Sequence, residues 1–284
     1  MREYRPGDEV RSIDWRVTAR RGRLHVKDFA GERDLPVTVV LDDPPSLRGG
    51  RSGVKDLRAR EVAALLLALA LQGGDRAGLM ATGKVVGEDL ALPGRGRGRL
   101  QLLLSALLEP PDSEGGPGGR DGSGTRGLVG TLERLAREGR EGGRVFLVGG
   151  FHLSMGDLDA LRRPLHRVCR RHGVTAVWII DQKDARAPGR GSVLLRDSRR
   201  PDVLRALGPD DEDLAEALEE EEEEVESFLR ERRVEIWPLE VGLPAVEGVR
   251  LLLGGRGRGP VGSVAVPAGG GAPPGVVGGG RRIR

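Results

Sequence analysis

The side chains best placed to do chemistry in this chain stand just past short apolar runs. Leu35-Pro36-Val37-Thr38-Val39-Val40-Leu41 is followed by Asp42, Asp43, Pro44, Pro45 and Ser46. Arg144 to Val148 is followed by Gly149 and Gly150, and Gly122, Ser123, Gly124 and Thr125 precede a helical stretch. Carboxylate and hydroxyl oxygens in such loops are hard ligands of the kind that hold magnesium. The plainer alternative for Asp42 and Ser46 is a turn that caps the next helix.

Other chemistries lack their residues. Gly94-Arg95-Gly96-Arg97-Gly98-Arg99 leads into a helix, and its amides suit an anion, but the spacing of a nucleotide-binding P-loop is missing. There is no G-x-S-x-G elbow and no H-E-x-x-H, and His25, His152, His166 and His172 fall at no metal-like spacing. The single cysteine, Cys169, excludes an internal disulfide and any zinc site built on two cysteines. It reads as a small core residue, with a reactive thiol beside His166 or His172 as the alternative. Net charge is +3 and aromatics are 3% of the chain, which argues against single-strand nucleic-acid binding. Binding through the Arg-Gly tracts, including Gly254 to Arg258, is the competing reading, and it predicts affinity that falls steeply with salt. The expectation is a non-enzyme without a cofactor.

The elements that must position these residues alternate. Strands are expected at 35–41, 77–82, 144–148, 174–180 and 234–239, with a short one near 193–195 and a hairpin extension at 84–86. Helices are expected at 58–72, 100–108, 128–138, 157–172 and 210–232. Alternating strands and helices imply a doubly wound, mainly parallel α/β sheet of Rossmann type, with ligands at the carboxyl ends of its strands. Residues 1–34 read as a loop and hairpin arm, 35–255 as one domain with a flexible loop at 110–124, and 256–284 as a disordered Gly/Pro/Arg tail. The glutamate run Glu219 to Glu224 reads as a solvated helical face, with a docking strip for a basic partner as the sharper alternative.

A chain of 284 residues with 31% charged residues and a mean hydropathy of -0.33 has the composition of a soluble globular protein. Its longest apolar run, Val62 to Leu71, is about half of the roughly 20 residues that span a bilayer. Met1 leads straight into Arg2, Glu3, Tyr4 and Arg5, without a signal-peptide pattern. A cytoplasmic location is expected, at the inner face of the membrane if an upstream anchor is missing.

The stretch Arg2-Glu3-Tyr4-Arg5-Pro6-Gly7-Asp8-Glu9-Val10-Arg11-Ser12-Ile13-Asp14-Trp15-Arg16, with Ala19-Arg20 after it, resembles the signature of the domain of unknown function 58 family. Leu24 to Phe29, Glu32-Arg33-Asp34 and Gly74 to Leu79 match further, so the resemblance covers about residues 2 to 255. It implies a von Willebrand factor A-like domain acting as an adaptor or chaperone-like partner of a MoxR-type AAA+ ATPase. The metal ion-dependent adhesion site of such domains uses D-x-S-x-S after the first strand, a Thr, and a later Asp. Carried over, Asp42, Ser46 and Thr125 match, whereas Pro44 replaces a Ser and Gly150 the later Asp. The resemblance therefore implies a degenerate site with weak magnesium binding at most. Within the signature, Tyr4, Asp8, Arg11, Asp14, Trp15 and Arg16 are candidate partner contacts. Their alternative is packing, with Trp15 and Ile13 covering one sheet edge and Asp14 paired to Arg11 or Arg16.

Overall fold

The structure, a computed structural model, describes residues 2–3, 15–26, 35–42, 47, 54–82, 88–96, 98–109, 125–138, 142–181, 193–196, 204–207 and 212–254. In the arm, β1 (Arg2–Glu3) pairs antiparallel with β2 (His25–Val26), as a hairpin-like ladder should. The connection holds a helix that the sequence reading missed, α1 (Trp15–Arg21). Seven residues with Val17 and Thr18 among them carry too little periodic signal to stand out. Trp15 opens that helix and is 64% exposed, so it does not cover a sheet edge.

The main sheet comprises β3 (Pro36–Leu41), β4 (Arg76–Ala81), β5 (Arg144–Gly149), β6 (Gly173–Ile180) and β9 (Glu235–Glu240). Two further strands, β7 (Val193–Arg196) and β8 (Leu204–Leu207), form a separate antiparallel pair. The main order is β4-β3-β5-β6-β9, and every pair in it is parallel. Alternate residues feed opposite faces. Val37, Val39 and Leu41 of β3 join Phe146, Val148, Val177, Ile179, Trp237 and Leu239 on one face, while Val40, Leu147, Ala176 and Trp178 point to the other. Both faces being covered explains why these strands read as nearly continuous apolar runs.

The first face is covered by α2 (Lys55–Gln72), α4 (Arg99–Leu108) and α8 (Ala245–Leu253). In α2 the inward residues Ala59, Val62, Ala63, Leu66, Leu67 and Ala70 follow the helical repeat. The helix stops where Gly73 N–H donates to the Leu69 carbonyl at 2.9 Å and Gly74 takes φ +86°, a turn that glycine adopts without strain. The second face carries α5 (Thr125–Glu138), α6 (Met155–Cys169) and α7 (Glu212–Glu231). Helix α6 begins two residues before the expected position. Asp157 accepts the Ser154 amide at 2.8 Å and the Ser154 hydroxyl at 2.7 Å, which sets the start.

A short α3 (Glu88–Ala91) follows β4 and leads back to its outer edge, where Ala77 and Gly94 exchange both backbone hydrogen bonds at 3.0 Å. The expected hairpin at 84–86, the flexible loop at 110–124 and the tail at 256–284 lie outside the described residues. The Gly94–Arg99 tract is structural in part. The Arg99 guanidinium donates to the carbonyls of Ala77 and Leu90, each at 3.2 Å, and to that of Leu92. Among the described residues no helix is long and apolar enough to cross a membrane.

Candidate functional site at the strand ends

The chain leaves β3 through α2 on one face and reaches β5 through α5 on the other. Strand order therefore reverses between β3 and β5, and the crevice at their carboxyl ends is where such sheets bind ligands. Asp42 stands there, directly past β3 and only 4% exposed. Its amide donates to the Val148 carbonyl at 2.8 Å, which locks it beside β5. Its Oδ1 accepts the Thr82 hydroxyl at 3.1 Å, from the residue directly past β4. A buried carboxylate needs such donors, because leaving one unsatisfied costs its desolvation penalty.

Gly149 closes the other side. A Cβ placed on it would lie 2.8 Å from Asp42 Cβ and 3.2 Å from the Asp42 carbonyl oxygen, so only glycine fits without a shift. Gly150 is roomier, its nearest neighbours being His152 Cδ2 at 3.4 Å and Leu47 Cδ1 at 3.6 Å. What Gly150 lacks is the carboxylate, not the space for its first carbon.

Lys55, the first residue of α2, is 3% exposed and its Nζ lies 3.1 Å from His152 Nε2. An ammonium only donates, so Nε2 accepts and the ring's proton is assigned to Nδ1. Glu222 of α7 feels Lys55 as well. Burial raises the pKa of Glu222, Lys55 opposes that, and Glu219, Glu221 and Glu226 add to the rise. The glutamate run is thus not uniformly solvated. Glu219, Glu220, Glu223 and Glu224 are exposed, whereas Glu221 and Glu222 are half-buried. The next turn places Glu226 inside, paired with Arg230.

Two contacts tie the strand-end turns together. Lys55–His152 joins the start of α2 to the β5–α6 turn, and the Arg58 guanidinium donates to the Val241 carbonyl at 3.0 and 3.3 Å, reaching the β9–α8 turn. Around this frame, Leu57, Met155 and Val246 occupy the first turns of α2, α6 and α8, each more than half exposed. In the β5–α6 turn Phe151 takes φ +47°, a left-handed conformation that bulky residues rarely adopt, with its ring edge-on to Trp178 at 5.9 Å.

Of the residues singled out from the sequence, Asp42 is in the crevice. Thr125 begins α5, but its side chain and the whole of Ser46 lie outside the described residues. Tyr4, Asp8, Arg11 and Asp14 lie outside as well, and Arg16 is described only as part of α1. Sequence reasoning missed Thr82, Lys55, His152 and Asp181. Thr82 and buried Asp181 directly follow β4 and β6, so the strand-end rule applied to every strand would have found both. Lys55 gave no signal, because its partner is 97 residues away.

Of the magnesium-type donors, Asp42 is described in the crevice, beside Gly149, and no three His, Cys, Asp or Glu side chains converge among the described residues. Cys169 is half-buried, and burial pushes its thiol up to about 11 against the opposing pull of Arg232. At neutral pH it is a protonated thiol, not a nucleophile.

The family described as "Protein of unknown function DUF58" matches residues 1–224. Uncharacterized proteins of Mycobacterium bovis and Mycobacterium tuberculosis are each 31% identical over 201 residues. That region is 69% of this chain and 59% of each relative, so the chain spans less than two thirds of their length. A family match over most of the chain, on a doubly wound parallel sheet with Asp42 at its switch point, places this protein: it belongs to the DUF58 family.

Proposed function

We propose that this chain is a non-catalytic interaction module, von Willebrand factor A-like, whose carboxyl-end rim docks on a MoxR-type AAA+ ATPase on the cytoplasmic side of the membrane. One observation carries the reading. Leu57, Met155 and Val246, exposed on three separate helix starts, border the crevice that the Lys55–His152 and Arg58–Val241 contacts hold rigid. Apolar groups presented on a preorganised frame favour macromolecular docking, since little ordering entropy is lost on binding. Asp42 is too buried to touch a partner itself; it sets the position of the rim through Thr82 and Val148.

The test is capture of a MoxR-type ATPase from the same genome by the immobilised chain. A Leu57→Glu/Met155→Glu double variant is expected to lose capture by about thirtyfold or more, as truncated hot spots do. Its circular dichroism spectrum should be unchanged, because both side chains face solvent. Leu102→Glu serves as control, being an exposed leucine on the helix that starts beside the amino end of β4. Undiminished capture by the double variant would refute the rim as the docking surface.

The adhesion-type site contributes no metal to this reading. Magnesium titrated calorimetrically into the chain should give no saturable heat. Tight binding abolished by Asp42→Ala would overturn that part.

A further inference from the structure

Away from the strand-end crevice, α6 and the C-terminal end of α7 enclose a surface cavity of about 380 Å³. Arg162, Arg163, His166, Glu231 and Arg232 line it. The volume suits a small ligand. Two of these arginines rest on the buried ring of Phe228, the Arg232 guanidinium at 3.8 Å from its centroid and that of Arg162 at 6.0 Å. Arg232 is pinned there: its Nη1 donates to the Phe228 carbonyl at 2.6 Å and sits 3.3 Å from Glu231 Oε2. Its Nε and Nη2 carry no hydrogen bond among the described residues. Arg162 donates to Asp159 at 3.0 Å. The side chains of Arg163 and His166 have no hydrogen bond or ion pair among the described residues.

We infer that this cavity binds a phosphoryl group, as free phosphate or as a phosphate monoester. Three guanidiniums against two carboxylates, Asp159 and Glu231, leave positive charge in excess. The unused donors number more than a carboxylate could accept. A carboxylate offers two oxygens and one charge, whereas a phosphate monoester brings three oxygens and nearly two charges. Arg232 is preorganised by its stack, so little freedom is lost when the anion arrives. A nucleic-acid strand fits less well, because the aromatic face that would stack a base is already covered by Arg232.

The full-length chain is titrated calorimetrically with inorganic phosphate and with O-phosphoserine, at constant ionic strength in chloride. Saturable one-to-one binding is expected for at least one of them. Tighter binding of O-phosphoserine assigns the site to a monoester carried by another molecule, and equal binding assigns it to free phosphate. An Arg163→Gln/His166→Gln double variant, altered only at exposed positions, is expected to bind about tenfold or more weakly, as loss of charge-assisted hydrogen bonds implies. Arg20→Gln, on α1 and outside the cavity, should bind as the parent does. The inference fails if neither ligand gives saturable heat, if the double variant binds like the parent, or if Arg20→Gln weakens binding equally. Circular dichroism of each variant separates a lost site from a lost fold.

Discussion

Trp178→Ala is expected to lower stability by about 3–5 kcal/mol, near the top of the range for single core truncations. Trp178 lies on β6 with neighbours paired on both sides, is 1% exposed, and fills the face covered by α5, α6 and α7. Its removal leaves a void that paired strands cannot close by moving, so the lost contacts are not regained. Urea unfolding should show a much lower midpoint at an unchanged slope. The same change takes away the ring against which Phe151 holds its left-handed backbone. Amide exchange at 150–154 should therefore accelerate beyond what global destabilisation accounts for. A loss below about 1 kcal/mol would contradict the packing described for this face.

Gly149→Ala is expected to cost about 1–3 kcal/mol, the usual penalty for overpacking, while Gly150→Ala next to it should be nearly neutral. The asymmetry comes from what each new methyl would meet. At 149 it lands 2.8 Å from Asp42 Cβ, an atom fixed to a neighbouring strand that cannot swing away. At 150 the nearest atoms are at 3.4 Å or beyond and belong to side chains. Relief at 149 requires β3 and β5 to separate at their carboxyl ends, which weakens the Asp42 amide bond to Val148. Parallel urea denaturation of the two variants decides it, and equal stabilities would mean that Asp42 is not held against β5 as described.

These two changes mark the limits of reading the chain one residue at a time. Gly149 ends β5 and Gly150 follows it, and nothing in their local sequence separates them. The glutamate run behaves the same way: six identical residues, of which only Glu221 and Glu222 turn inward. Asp42 was visible as a candidate because it ends a strand. Its hydroxyl partner, Thr82, was not, because it arrives from 40 residues away through the pairing of β3 with β4.

The alternation of strands and helices was legible from the chain alone, since period and composition are local properties that burial on two faces writes into every strand. So was the membership signalled by the N-terminal signature and matched over residues 1–224. Strand order, by contrast, is a choice among pairings that share the same local pattern, and it alone put Asp42 beside Gly149 and Lys55 beside His152. The basic cavity likewise depends on two helices meeting at one place: Arg163 and His166 become a site only because α7 brings Arg232 and the Phe228 ring against α6. Long-range packing settles such meetings through shape and burial, and neither is written in the spacing of residues along a single element.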